Sequence, residues 1–296
     1  MKEVEVVLDY QCYLGEGPVW DDQRKSILWI DIMQGDVHEY IPASRQHRKV
    51  NLSSMVGAVA LQENGNLVAA LKSGIYYMQR DSGALERLMH PEAHIEANRF
   101  NDGKCDADGR FWIGSMALSE EYGAGNLYRV DRDLSYTKVL DNVSLSNGLT
   151  WSHDNRTFYY IDTPTQQVVA FDFDIRSGII THKRVIITIP ETDGFPDGMT
   201  IDTEGMLWIA HWGGWQVSRW NPTTGEKIYQ FQLPVAHVSS CAFGGDDFRD
   251  LYITSARKGL SEEALQQQPL AGSLFVIRNC GFQGSAPHRF RPHIYR

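Results

Sequence analysis

Four short segments of this 296-residue chain place an oxygen-bearing side chain immediately before a glycine. They are LGEGPVW with Glu16, NRFNDGK with Asp102, LSNGLTW with Asn147 and FPDGMT with Asp197; Asn101 lies one position before Asp102. Glu16, Asn147 and Asp197 together offer two carboxylates and one amide oxygen. That is a hard, oxygen-only donor set with no His or Cys, and it suits Ca²⁺, Mg²⁺ or Mn²⁺ better than Zn²⁺. Three protein donors leave positions for water and substrate, as a catalytic metal requires. Taken singly, Asp-Gly and Asn-Gly are common turn dipeptides. The case for a site rests on polar residues recurring at equivalent places in a repeat.

Such distant residues meet only if the scaffold brings them together, and the chain repeats itself in a way that does so. Six segments share one plan: a small residue, a short apolar strand, a polar turn and an aromatic-rich strand, followed in most by a third strand. They begin at Gly17, Gly57, Gly103, Gly148, Gly198 and Cys241. The interval of about 40–50 residues is that of four-stranded propeller blades. Asn64-Gly65-Asn66, Asp108-Gly109, His153-Asp154-Asn155 and Glu204-Gly205 mark tight hairpin turns that require positive φ. The second strands (SILWID, RFWIGS, TFYYID, MLWIAH, DLYITS) are aromatic and β-branched, as strands covered on both faces should be. The one helical candidate is SEEALQQQ from Ser261.

These features predict an all-β fold: a six-bladed β-propeller occupying residues 1–296 as a single domain. The alternating N-terminal strand Glu3–Leu8 closes the ring as the outer strand of the last blade, which protects a sheet edge. A pair of β-sandwiches does not explain six similar units. In a propeller, the start of each innermost strand faces the central channel, so Glu16, Asn147 and Asp197 should converge there. The equivalent positions Val56 and Ser240 carry no such oxygen donor set, so the repeat itself does not demand one.

Composition excludes several classes. Lys and Arg number 28 against 37 Asp and Glu, and a net charge of −9 repels phosphate backbones, so no nucleic-acid partner is expected. No stretch approaches the roughly 20 apolar residues of a membrane span, so no membrane partner is expected. MKEVEVVLDY lacks the apolar centre of a signal peptide. Cys12, Cys105, Cys241 and Cys280 are far apart and form no C-x-x-C pair, which reads as four free, buried thiols. A cytoplasmic location follows as the expectation, with no obligate protein partner evident. No P-loop, dinucleotide fingerprint, H-E-x-x-H or G-x-S-x-G elbow is present. His211, Trp212 and Trp215 are expected to pack a blade more readily than to stack on a ligand, and the basic ending from Arg289 reads as a solvated tail.

The same segments carry a resemblance. LGEGPVWD, NRFNDGKCDADGRFWIGSM, LSNGLTWSHDNRTFYYIDT and FPDGMTIDTEGMLWIAHW, with SSCAFGG, DLYITSAR and the ending AGSLFVI…GFQGSAPHRF, resemble the regucalcin/gluconolactonase (senescence marker protein) family of sugar lactonases. The resemblance spans nearly the whole chain. It implies a six-bladed propeller that hydrolyses sugar lactones with one divalent metal ion, which could be Ca, Mg, Mn or Zn. Glu16, Asn147 and Asp197 match the family's metal ligands, and Asp197 also its catalytic proton donor and acceptor. Arg99 and Asn101 match residues that hold the substrate. A further substrate-contacting Glu falls where this chain reads GSMALSEE: direct alignment gives Ser119, and a shift by one gives Glu120. The expected function is therefore hydrolysis of an aldonolactone, a small-molecule substrate. The alternatives are a non-catalytic Ca²⁺- or ligand-binding propeller, or an esterase or phosphotriesterase using the same metal.

Overall fold

The computed structural model describes residues 2–293; the ends of the predicted domain, Met1 and residues 294–296, lie outside them. Among the described residues, twenty-four strands form six four-stranded antiparallel sheets arranged as the blades of a β-propeller. Blades 1 to 5 run in simple sequence order, over residues 15–51, 56–89, 98–143, 146–188 and 195–232. Blade 6 combines the strands Val238–Gly244, Asp250–Ser255 and Leu274–Ile277 with the N-terminal strand Glu5–Leu8 at its outer edge. The closure predicted for Glu3–Leu8 is present, two residues shorter at its start. The SEEALQQQ segment forms a short helix, Glu262–Gln267, whose amino end is capped by the Ser261 hydroxyl.

The predicted hairpins close through left-handed turn residues, with φ of 84° at Gly65, 87° at Gly109, 55° at Asn155 and 80° at Gly205. Second strands are covered on both faces: Trp29, Trp112 and Trp208 are fully buried between neighbouring blades. Two of these indoles are held alike. Trp112 Nε1 donates to Asp106 and Trp208 Nε1 to Asp202, each at 2.9 Å, which satisfies a polar atom that burial would otherwise penalise.

The innermost strands, Gly15–Asp21, Val56–Leu61, Asn98–Cys105, Ser146–Trp151, Phe195–Ile201 and Val238–Gly244, pack side by side around the axis. Every one of them slips register by a bulge near its start, at Glu16/Val19, Val56/Ala58, Asn101/Gly103, Asn147/Leu149, Pro196/Met199 and Val238/Ser240. A bulge re-aims the side chains around it. The repeated glycine sits in this bulge, not in a turn, because the strands converge there. A Cβ on Gly148 would lie 2.6 Å from the Asp197 carbonyl oxygen, and one on Gly198 would lie 2.0 Å from Ser240 Oγ.

The C-terminal segment corrects one expectation. Arg289 and Phe290 are not a solvated tail: Phe290 is wholly buried, and its N–H donates to the Leu61 carbonyl at 2.8 Å. Arg289 donates to Asp21 at 2.8 Å and to Asp22 at 2.6 Å. The segment is a strap that ties blade 1 to blades 2 and 3 beneath the channel. Among the described residues no helix is long and apolar enough to cross a membrane, and all four cysteines are free and buried.

Candidate metal and substrate site

The bulges bring Glu16, Asn147, Asp197, Arg99 and Asn101 to one end of the channel, at the starts of the innermost strands of blades 1, 3, 4 and 5. All five are buried. Glu16 and Asp197 lie within hydrogen-bonding reach of each other. Burial, and then repulsion from Asp197 and Asp102, pushes the Glu16 carboxyl well above the ordinary range. Burial and the field of Asp102 do the same to Asp197. Arg99 is the cation that offsets this charge, and its own burial lowers its pKa to about 10. Within the array, Arg99 alone faces the Glu16–Asp197 pair, while Asp102 has the buried Lys104 as its cation. Asp197 Oδ1 is buried with no hydrogen-bond partner. An orphaned, buried carboxylate oxygen beside a second carboxylate is costly unless a cation joins it.

The amides order the array. Asn101 Nδ2 donates to the Ser146 carbonyl at 2.7 Å and to Asn147 Oδ1 at 3.1 Å, while its Oδ1 accepts from Arg99 Nη1 at 2.7 Å. Asn101 thus brackets Arg99 on one side and Asn147 on the other. Asn147 Nδ2 donates to Thr163 Oγ1 at 2.8 Å, and that hydroxyl donates to the Pro196 carbonyl at 2.8 Å. Thr163 therefore fixes the Asn147 amide with its oxygen towards Asn101, and it couples Asn147 to the backbone just before Asp197. Sequence reasoning missed Thr163. It follows the second strand of blade 4 in TPT, and nothing local marks it; only its pairing across to Asn147 does.

The strand bulge also separates two neighbours that look alike in sequence. Asn101 faces the array, whereas Asp102 lines a cavity of about 630 Å³ beyond it. All six innermost strands contribute to that cavity, through Pro18, Ala60, Lys104, Thr150, Thr200 and Ala242 among others, and the strap closes it with Ala286 to Arg289. It is the far half of the axial channel. Glu16, Asn147 and Asp197 do not line it, so this cavity and the concentrated charge lie at opposite ends, joined at Asp102.

The field of Glu120, in the blade 3 loop, reaches Arg99. His211 turns into blade 5, where it is buried and hydrogen-bonds to Ser218 Oγ. Trp212 stacks on His237 of blade 6 at a centroid separation of 4.1 Å. Both serve blade packing. Among the described residues no three His, Cys, Asp or Glu side chains converge as a ligand set; the third oxygen expected to join Glu16 and Asp197 is the amide oxygen of Asn147, which accepts from Asn101 Nδ2. The chemistry of these donors and the orphaned Asp197 oxygen fit a hard divalent cation.

A six-bladed propeller with an oxygen-lined axial site defines the structural class. The profile of the SMP-30/Gluconolactonase/LRE-like region matches residues 14–257. The chain belongs to that family. It is 38% identical over 267 residues to YvrE of Bacillus subtilis (strain 168), a protein provisionally named a sugar lactone lactonase, covering 90% of this chain and 91% of the relative. It is also 38% identical to regucalcin of Sus scrofa over 293 residues, covering 97% and 98%. Among solved structures, a calcium-binding protein, regucalcin, from Agrobacterium tumefaciens superposes with a TM-score of 0.93 at 30% identity, covering 98% of both chains.

Proposed function

We propose that this protein hydrolyses a sugar lactone to the corresponding aldonic acid, with one divalent cation held by Glu16, Asn147 and Asp197. The observation that carries this reading is the buried carboxylate pair, compensated by Arg99 alone and leaving Asp197 Oδ1 without a partner. Family membership and the name given to YvrE support the lactone as substrate. Four free, buried thiols support an intracellular, reducing location.

A lactone is a cyclic ester whose carbonyl oxygen gains charge as water attacks. Bound at this site, a divalent ion supplies the Lewis acid that such an oxygen requires. The chain's own residues perform the rest. Asp197 takes a proton from the attacking water and returns it to the ring oxygen as the C–O bond breaks. The products are one carboxylic acid and one hydroxyl, with no other reactant consumed. Arg99 has one Nη1 committed to Asn101 and to the Phe100 carbonyl, at 2.7 and 3.0 Å; the remainder of its donor fork faces the substrate. Asn101 holds Arg99 and Asn147 in register, and Glu120 accepts from sugar hydroxyls at the mouth.

The description of the Agrobacterium tumefaciens relative as calcium-binding favours a second reading, a propeller that binds a cation without turnover. Hydrolysis of glucono-, xylono-, arabinono- and galactonolactone, measured after chelation and again after adding back Ca²⁺, Mg²⁺, Mn²⁺ or Zn²⁺, separates the two. The proposed function predicts loss on chelation and recovery with a cation. Cation binding by calorimetry with no turnover across the panel supports the second reading. Full activity in the chelated enzyme overturns the cation's role.

A further inference from the structure

The loops on the mouth side of the ring are unequal. Between the second and third strands, blade 2 spends only residues 72–73, whereas blade 3 spends 118–124 and blade 6 spends 256–273. Blades 3 and 6 stand opposite each other in a six-bladed ring. Their loops nevertheless meet: Lys258 Nζ lies 2.8 Å from Glu120 Oε1. A direct ion pair between opposed blades has to pass over the axis, and so over the buried array of Glu16, Asn147, Asp197 and Arg99.

The two partners are held differently. Lys258 is a fixed post: its N–H donates to the Tyr13 carbonyl at 2.8 Å, and its own carbonyl pairs with His237 Nδ1 at 2.9 Å. His237 is in turn stacked on Trp212. Glu120 rides on the more open loop, where Tyr122 is 71% exposed. Its backbone takes the left-handed conformation at φ 60°, a strained choice for Glu that persists where surrounding contacts hold it. Glu120 thus has one cation across the mouth in Lys258, and a second in Arg99 whose charge it feels from above.

We infer that Lys258 is a specificity-determining residue, closing the mouth through Glu120 in a latch that a polyhydroxylated lactone opens more readily than an unsubstituted one. A sugar hydroxyl inserted between the two donates to Glu120 and accepts from Lys258, so each charge regains a partner and the cost of opening is recovered. A lactone without hydroxyls opens the same latch and recovers nothing. Discrimination therefore comes from a penalty on the wrong ligand as well as from contacts to the right one. The pair is partly exposed, and such pairs are weak and screened by salt, which lets it open at every turnover.

This inference rests on the lactonase reading for its substrates, and its test separates the two. The variant is Lys258→Met, which keeps the aliphatic stem and removes the charge. Steady-state kinetics on gluconolactone and on δ-valerolactone are measured between low and high salt, alongside hydrogen–deuterium exchange of residues 118–124 in the substrate-free protein. The expected result is a rise of about 2- to 5-fold in kcat/KM for δ-valerolactone in Lys258→Met at low salt, the range that exposed ion pairs give. The gain for gluconolactone is smaller. Salt should produce the same change in the wild type and none in the variant. Exchange in the 118–124 loop should be faster in the variant at low salt. Unchanged selectivity, or a salt response that survives in Lys258→Met, overturns the inference. A protein that hydrolyses neither lactone overturns the activity reading; exchange then decides the latch, and equal exchange in wild type and variant rejects it.

Discussion

Two clusters of buried charge sit within this one ring, and they are built on opposite terms. Around Arg80, between blades 1 and 2, Asp21, Glu39, Ser26, Arg48 and Arg289 form a closed network. Arg80 donates to Asp21, to Glu39 at 3.2 Å and to Ser26 at 2.9 Å, while Arg48 reaches Glu39 at 2.7 Å. Burial alone would raise the Asp21 carboxyl, but hydrogen bonds from Arg289 and Arg80 outweigh it and hold Asp21 down at about 2. Glu39 is likewise held low, against its burial, by Arg80 and Ser26. At the channel mouth the same residue types, more deeply enclosed, are driven the other way: Glu16 and Asp197 rise well above the ordinary carboxylate range. Both clusters are shielded from solvent, but the carboxyls at the mouth are enclosed more deeply and are also given fewer cations. The first is complete within the chain. The second lacks positive charge, as a site for a cation should.

The largest effect should come from the incomplete cluster. Asp197→Asn keeps the shape but removes the proton acceptor and one anionic donor, and lactone turnover should fall by about 10²–10⁴-fold with the folding midpoint unchanged or raised. Activity close to that of the wild type would remove Asp197 from the mechanism.

Next in size is the complete cluster. Arg80→Met leaves Asp21 and Glu39 buried with fewer partners and should cost about 3–5 kcal/mol in urea denaturation. Glu16→Gln, made in chelated protein, should cost nothing or stabilise, since it relieves repulsion. Equal losses in the two variants would erase the contrast between the clusters.

A smaller effect is expected at Thr163. Thr163→Val removes the hydroxyl that orients Asn147 without touching substrate, and cation affinity should drop by about 10–100-fold, the range for residues that position a metal ligand. Titration calorimetry reads this directly, and an unchanged affinity would make Thr163 a packing residue only.

The subtlest test is the pH dependence of stability, which should have opposite signs at the two clusters. Asp21 has a folded pKa below its unfolded value, so its contribution is present above about pH 4 and is lost as pH falls towards 2. The stability gap between wild type and Asp21→Asn should close over that interval. Glu16 has a folded pKa above its unfolded value of about 4.5, so its favourable contribution lies at low pH and is lost as pH rises through the raised value. Chelated wild type should therefore lose ground to Glu16→Gln as pH climbs from 4.5 to neutrality. Parallel pH profiles for the two substitutions would contradict the assignment.

Much of this was legible in the sequence, for physical reasons that can be named. The blades were, because hairpin turns need positive φ and strands covered on both faces need aromatic and β-branched residues; Gly109 and Trp112 show both within four positions. Glu16, Asn147 and Asp197 were found because they recur before the glycine that lets neighbouring inner strands touch. The facing of Asn101 and Asp102 was not legible, since a bulge breaks the two-residue alternation that would have assigned them. Arg289 and Phe290 were misread because basic composition suggests solvent, whereas Arg289 finds its partner in Asp21, at the far end of the chain. Thr163 and Lys258 act only through pairings between distant loops, which no local pattern encodes.

The central claim is that the charge at the mouth is left for a divalent cation to complete. Isothermal titration of chelated wild type and Glu16→Gln with Ca²⁺ and Mn²⁺, paired with thermal unfolding at a cation concentration near 100 times the wild-type Kd, tests it most directly. The wild type should bind one ion and gain about 2.7 kcal/mol of stability at that ratio, and Glu16→Gln should show neither effect. Equal binding and equal stabilisation of the two proteins would contradict the account.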